Sequence, residues 1–409
     1  MKRNLWLGIS LVGIIAILMY LWQMDQQGFN LTQETKPREV LELWTSNPET
    51  GEMAKRFEEE TEHMLVNVRY FHNSETLLEE LVGAVSATTP PDLAEISAHY
   101  GIYSLIEAEG IVALEDWLDS AKLKDLVPGI ASRFQYDNAL WAWPIGGSLP
   151  TIYVNQSMLE SQGYVSPYGI YTWDDLWEIA NDIAGIPSNG MLWGFHTDLQ
   201  TPWYLRTMLK QKGTYIAEGN DEFEREALSR GDLVEWTAAV HSYQIMPPLT
   251  HHLAITEFVN GQGAFLLSSS EHISLIERLV AGKFDLDIIP IPYSNNETER
   301  ERGYMSGGSG IVVLQSEKST EQDLERATQF ISFLSNLENA RELSDNSNYI
   351  PALRSLMKEP NLNISTSLSK PYHEMIQEAE YTDGSFASEF DQDIWNRLLE
   401  LQEEIESTE

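Results

Sequence analysis

The stretch from Leu140 to Asn155, LWAWPIGGSLPTIYVN, decides how this chain is read. It has the composition of an aromatic-rich strand, a Pro-Gly-Gly turn (Pro144, Gly146, Gly147) and a second, apolar strand ending in Tyr153 and Asn155. Soon after, TWDDLWEIA opens a helix: Thr172 is placed to cap it, Asp175 to return the capping hydrogen bond, and Asp174 suits the helix dipole. A chain of 409 residues exceeds one ordinary core, so two lobes are expected.

Upstream, strands and helices alternate. EVLELWT (39–45) and MLVNVRYF (64–71) read as strands around a helix over 51–62. Ser74 is placed to cap a helix whose apolar face is Leu77, Leu78, Leu81, Val82 and Val85. After Pro90–Pro91, DLAEIS (92–97) is a third strand. This spacing predicts parallel βαβ units, and ligands bind at the carboxyl ends of such strands. Trp44, Ser46, His72 and Ser97 therefore lie toward one mouth. Downstream, FDLDIIPIP (284–292) alternates as a strand that crosses back to the first lobe, and the acidic end ELQEEIESTE reads as a frayed helix terminus.

Composition narrows the function. Hydrophobic content of 42% is ample for packed cores. A net charge of −37 repels phosphodiester backbones and anionic headgroups, which argues against nucleic acid as a partner. With no cysteine there is no disulfide, thiol chemistry or lipid-modified thiol. No cofactor signature is present. The adjacent pair His251–His252 cannot face one metal ion together, and no third ligand stands at zincin spacing, so no metal is expected. Neither GGSGI nor GGSLP is a nucleophile elbow, and with 63 acidic residues a chance carboxylate pair means nothing. At the N-terminus, Lys2 and Arg3 precede eighteen uncharged residues, Leu5–Trp22. These read as a signal anchor or signal peptide over 1–24, the anchor being favoured because no small-residue cleavage site follows. A polar linker over 25–38 comes next.

Several segments, in order, resemble family 1 extracellular solute-binding proteins, the capture components of sugar ABC importers. The matching residues are Leu140, Trp141, Trp143 and Pro144, then Ile152, Tyr153, Asn155, Met158, Leu159, Gly163, Pro167 and Thr172–Leu176. FVNGQGAFLLSSS (258–270), YMSGGSGIVVL (304–314) and the run Asn348–Arg354 follow in the family's order. The resemblance spans roughly residues 39–360. It implies an α/β, two-lobed, periplasmic-binding-protein-like (type II) fold with a hinge and an interlobe ligand cleft, following the N-terminal membrane or signal helix. It places residues 39–143 and 284–336 in the first lobe and 148–283 and 337–409 in the second.

Sugars present hydroxyl rims and apolar ring faces, which call for aromatic platforms and short polar groups in a concave cleft. The resemblance places Trp44, Trp203, Tyr204 and Tyr349 at that cleft, although a tryptophan is as readily a core residue. Gly147 and Ser148 lie beside the crossing. Ser270 ends a strand that the family uses for contact, with a surface turn as the alternative. Gly307, Gly308 and Ser309 expose amides close to a ligand or simply bend the chain. Arg354 is the candidate for a phosphate, but without an arginine cluster in the sequence a neutral saccharide is preferred. Trp117, Trp173, Trp177, Trp236 and Trp395 read as packing residues. The expected protein is a monomeric, non-enzymatic binder that hands a small solute (oligosaccharide, monosaccharide or glycerol-phosphate-like) to ABC permease subunits. A membrane-tethered ligand-sensing ectodomain that partners a receptor kinase is the alternative.

Overall fold

The structure, a computed structural model, describes residues 39–407 apart from 62, 186–191, 199–200, 212–233, 249–251, 294–304, 358–367, 369, 375–376 and 378–390. The expected N-terminal helix and linker, and His251, lie outside the described residues. Among those described, no helix is long and apolar enough to cross a membrane.

The first lobe begins with the expected alternation. Strand β1 (Glu39–Thr45) leads to helix α1 (Pro48–Glu60), β2 (Met64–Tyr70), α2 (Ser74–Ser86) and β3 (Leu93–Ser97). β1 lies parallel to both β2 and β3. Asn47 caps α1, with Pro48 just inside it, where a missing N–H costs nothing. The cap of α2 is Asn73 rather than Ser74, its side chain accepting from the Thr76 N–H. After a short hairpin of β4 (Gln135–Tyr136) and β5 (Ala139–Leu140), turned by left-handed Asp137 and Asn138, comes β6 (Trp143–Ser148).

Pro144–Gly147 is therefore strand and not turn. β6 is an edge strand of the five-stranded sheet, so Pro144 removes no ladder hydrogen bond that the sheet needs. The glycines answer to close approach. A Cβ on Gly146 would stand 2.5 Å from the Tyr349 Cβ. Gly147 exchanges both backbone hydrogen bonds with Ile350, at 2.9 and 2.7 Å. The chain changes lobe over a single residue, Leu149, because β7 (Pro150–Asn155) already belongs to the other sheet.

The second lobe is built on β7, α3 (Trp173–Ala184), β8 (Trp193–Thr197), α4 (Thr201–Gln211), β9 (Gly263–Ser269), α5 (Ile273–Val280) and β10 (Leu286–Pro290). Its sheet runs β10-β7-β9-β8. Thr172 and Asp175 form the expected capping box on α3. β10 does not cross back: it pairs antiparallel with β7 from Leu286↔Asn155 to Pro290↔Thr151, and the return falls after it. Alternation identified the strand but carries no information about its partner.

β11 (Gly307–Val313) rejoins the first sheet between β3 and β6, completing the order β2-β1-β3-β11-β6. Gly308, at φ +105, and a bulge at Ser309/Gly310 allow it to pack against Gly146 and Gly147. α6 (Glu321–Leu334) seats Phe330 and Phe333 on Phe57 of α1, with ring centroids 5.3 Å apart. α7 (Leu337–Ser347) was expected in the second lobe. It lies against α1 instead, through Arg56 with Glu338 and Glu342, and residues 350–354 continue on the first lobe through Gly147, Leu126 and Asp125. The acidic C-terminal end is not frayed before Glu406: it completes α8 (Asp391–Glu406), whose Leu398, Leu401 and Ile405 are buried and which packs on α4. The acids line the outer face of an amphipathic helix whose inner face is apolar.

Candidate ligand cleft between the lobes

Three expected residues, Ser148, Trp203 and Gly307, meet where the lobes touch. A Cβ on Gly307 would strike Ser148 Oγ at 2.6 Å, His99 Cε1 at 3.0 Å and Trp203 Cζ2 at 3.0 Å. Gly307 and Ser148 are register partners on β11 and β6, whereas Trp203 comes across from α4. Trp203 is 2% exposed and donates from Nε1 to the Met305 carbonyl at 2.9 Å. Its ring lies 4.8 Å from His99 and 5.2 Å from Tyr204. Trp203 thus ties one lobe to the other. A cavity beside it, lined by Ala98, His99, Arg133, Trp203, Arg206, Met305, Ser306 and Trp395, has a volume of about 10 Å³, enough for one water molecule. A sugar enters only if the lobes part.

The first-lobe floor is polar and deep. Glu95 on β3 accepts from Ser309 Oγ and Thr45 Oγ1, each at 2.5 Å, and burial pushes its carboxyl upward despite those bonds. Ser97 faces Ser309 in the register and accepts from the His99 N–H. Tyr349, part-buried over Gly146, is held well above the ordinary phenol range by burial and by Glu271 and Glu95.

On the second lobe, Tyr204 donates to Asp198 Oδ1 at 2.9 Å, and Asp198 Oδ2 accepts from Ser268. Ser268 Oγ also meets His272 Nδ1 at 2.8 Å. Burial opposes charge on that imidazole, but Asp198 and Glu271 outweigh it and the net shift is upward. A serine, a histidine and an aspartate are thus in contact. One Ser268 hydroxyl serves both partners within a packed network, and no oxyanion-binding pair accompanies it among the described contacts.

The remaining expected residues lie elsewhere. Ser270 is fully buried, and its Oγ accepts from the Leu149 N–H at 3.0 Å while its own N–H donates to the Leu149 carbonyl at 2.9 Å. It clamps the crossing residue; the surface-turn alternative does not hold. Trp44 packs on Phe71 under the Arg69 guanidinium, Ser46 meets Ser74, and His72 is exposed, all on the rim of β1 and β2. Arg354 is exposed, and its backbone N–H donates to the Asp125 carbonyl at 2.7 Å.

Sequence reading missed Arg133, Arg206 and Trp395 as cavity residues. Arg206 stands as the lone charge in WYLRTML, a pattern that flags a buried cation. Trp395 was read as packing, yet it stacks on His99 at 5.8 Å and meets Tyr100 edge-on at 5.1 Å. His99 is held neutral, its imidazole driven down to about 3 by burial and by Arg133 and Arg206. The unfolded histidine titrates near 6.5, so below that pH the unfolded chain takes up a proton that the folded chain refuses. This contribution to stability is complete above 6.5 and drains away as pH falls toward 3. His99→Asn is expected to flatten the wild-type loss over that window in denaturant titrations, and an unchanged difference from wild type at every pH would refute it.

Two lobes built on separate sheets, joined over Leu149 and after β10, with aromatic and polar groups between them, define a cleft-type binding protein. The model of the bacterial extracellular solute-binding protein family matches residues 52–364, and the chain belongs to that family. It is accordingly an extracytoplasmic binding protein and not an enzyme. Solved structures share the fold. An ABC substrate-binding protein from Listeria monocytogenes in complex with cycloalternan superposes with a TM-score of 0.70 at 18% identity, covering 90% of this chain and 98% of that one. The maltose/maltodextrin-binding domain MalE from Bdellovibrio bacteriovorus, bound to maltotriose, gives 0.70 at 14% identity, covering 90% and 94%. UgpB from Mycobacterium tuberculosis, in complex with glycerophosphocholine, gives 0.64 at 15% identity, covering 90% and 98%.

Proposed function

We propose that this protein captures a sugar or sugar-like polyol between its lobes and delivers it to the permease of an ABC importer. The observation that carries the reading is Trp203, an aromatic platform of one lobe set against the glycine backbone and hydroxyls of the other. Ring faces stack on such a platform, while Ser148, Ser306 and backbone amides serve the hydroxyl rim. The ligands held by the similar structures, cycloalternan and maltotriose among them, support this class of solute. Closure buries the solute, and the closed face is what a permease reads. We further propose that Leu5–Trp22 tethers the protein to the outer face of the membrane, supported by Lys2 and Arg3 on its cytoplasmic side.

A panel of mono- and oligosaccharides, polyols and glycerol phosphates, read by thermal shift and tryptophan fluorescence, tests the reading. A true solute raises the unfolding temperature, since a ligand at one hundred times its Kd adds about 2.7 kcal/mol. It also changes the emission of Trp203 and Trp395. No response from any member at about 10 mM, well above the Kd range such binding implies, would reject the solute class.

A further inference from the structure

The cavity lining reverses the character of the molecule. The chain carries 63 acidic and 26 basic residues, yet the described residues lining this cavity include two arginines and a histidine and no carboxylate. Arg133 belongs to the first lobe, where its Nε and Nη2 hold the Ala98 carbonyl at 3.3 and 2.8 Å. Arg206 belongs to α4 of the second lobe. Each is 2% exposed. Both guanidiniums are engaged within the protein as well, so a solute would add an acceptor to forks already in use.

Resting on the solute-capture reading above, we propose that the captured sugar or polyol bears an anionic group, a carboxylate or a phosphate ester, which Arg133 and Arg206 take from opposite lobes. The hydrogen-bond inventory favours this over a wholly neutral sugar. A guanidinium offers five donors and no acceptor, whereas a sugar hydroxyl needs a partner for its own hydrogen as well. Two donor-only groups converging on one cavity match a group that only accepts. Carboxylate and phosphate oxygens do so, and they fit the planar fork in two-point fashion. His99 adds no third positive charge, since it is neutral, and Ser306 adds a hydroxyl. Trp203 and Trp395 flank the same space and receive the uncharged remainder of the solute. An anion shared between the lobes also favours the closed form directly, because its two arginines come together only on closure.

Calorimetric titration of matched pairs tests this: glucuronate against glucose for the carboxylate, and glucose 6-phosphate against glucose and glycerol 3-phosphate against glycerol for the phosphate. In at least one arm the acidic member is expected to bind about tenfold or more tightly than its neutral counterpart. Arg206→Gln and Arg133→Gln should each bring the ratio of acidic to neutral affinity down to about one, whatever they do to the neutral member's own affinity, and Arg206→Lys should keep part of the preference. Circular dichroism and melting curves establish that each variant is folded. Neutral members binding as tightly as acidic ones overturn the inference and leave solute capture standing. A preference that survives both glutamine variants overturns the assignment to this pair. Silence from every member overturns the inference, and solute capture falls with it only when the wider panel of saccharides and polyols is silent too.

Discussion

Gly194→Ala is expected to destabilise the second lobe by about 3 kcal/mol, the upper part of the usual overpacking range. A Cβ at this position would lie 1.9 Å from the Ala180 carbonyl oxygen, 2.5 Å from its carbon and 2.9 Å from its Cα. All three atoms are helix backbone, so no side chain can rotate away and α3 itself must lift from β8. Gly194 has no left-handed torsion angle among the positive-φ glycines, so the effect is steric rather than conformational. The disturbance reaches the cleft, because the chain just after β8 delivers Asp198 to Tyr204 and Ser268. Melting curves should show a fall of about 5–10 °C. A variant that melts within a degree of wild type would show that the helix and strand have slack which the packing does not reveal.

Trp203→Ala is expected to weaken solute binding about a hundredfold, through lost closure more than through lost fold. Removing a buried tryptophan costs about 3–5 kcal/mol in the state where it is buried. Much of what surrounds this one belongs to the other lobe: His99, Gly307 and the Met305 carbonyl. Truncation strips those contacts from the closed form and leaves a buried carbonyl without its donor. The open form loses little. Small-angle scattering should therefore report a more expanded average shape, with unchanged far-ultraviolet dichroism. Trp203→Phe, which keeps a ring but not the Nε1 donor, should fall between. Affinity within threefold of wild type would remove Trp203 from both the platform and the closure contact.

The sequence made local structure legible and left partnership hidden. The strands and helices from Glu39 to Ser97, and the capping box at Thr172, stood out because period and cap chemistry are properties of neighbouring residues. Pro144–Gly147 misled for the same reason: proline and glycine are local turn signals, while their role here is set by an edge strand and by Tyr349–Ile350, two hundred residues away in sequence order. β10 was recognisable as a strand, but nothing within FDLDIIPIP says that β7 receives it. Trp203, Ser148 and Gly307 stand out in the sequence because order and spacing resemble a family, and the structure brings the three together. Arg133, Arg206 and Trp395 were not, because each arrives from a separate element and only folding brings them to one cavity. Ser270 shows the converse: the expected position was right beside the cleft, yet its hydroxyl is spent on Leu149.

The single-residue junction at Leu149 fixes a lever. With strands about 4.8 Å apart, β2 lies about 19 Å from β6 across the five-stranded sheet. Each degree of rotation about an axis near Leu149 then carries the β2 edge about 0.3 Å, while Ser148 and Gly307 scarcely travel. The outlying rim, with Trp44 and His72, sweeps the widest arc, so the reach of that arc sets how large a solute the protein can admit.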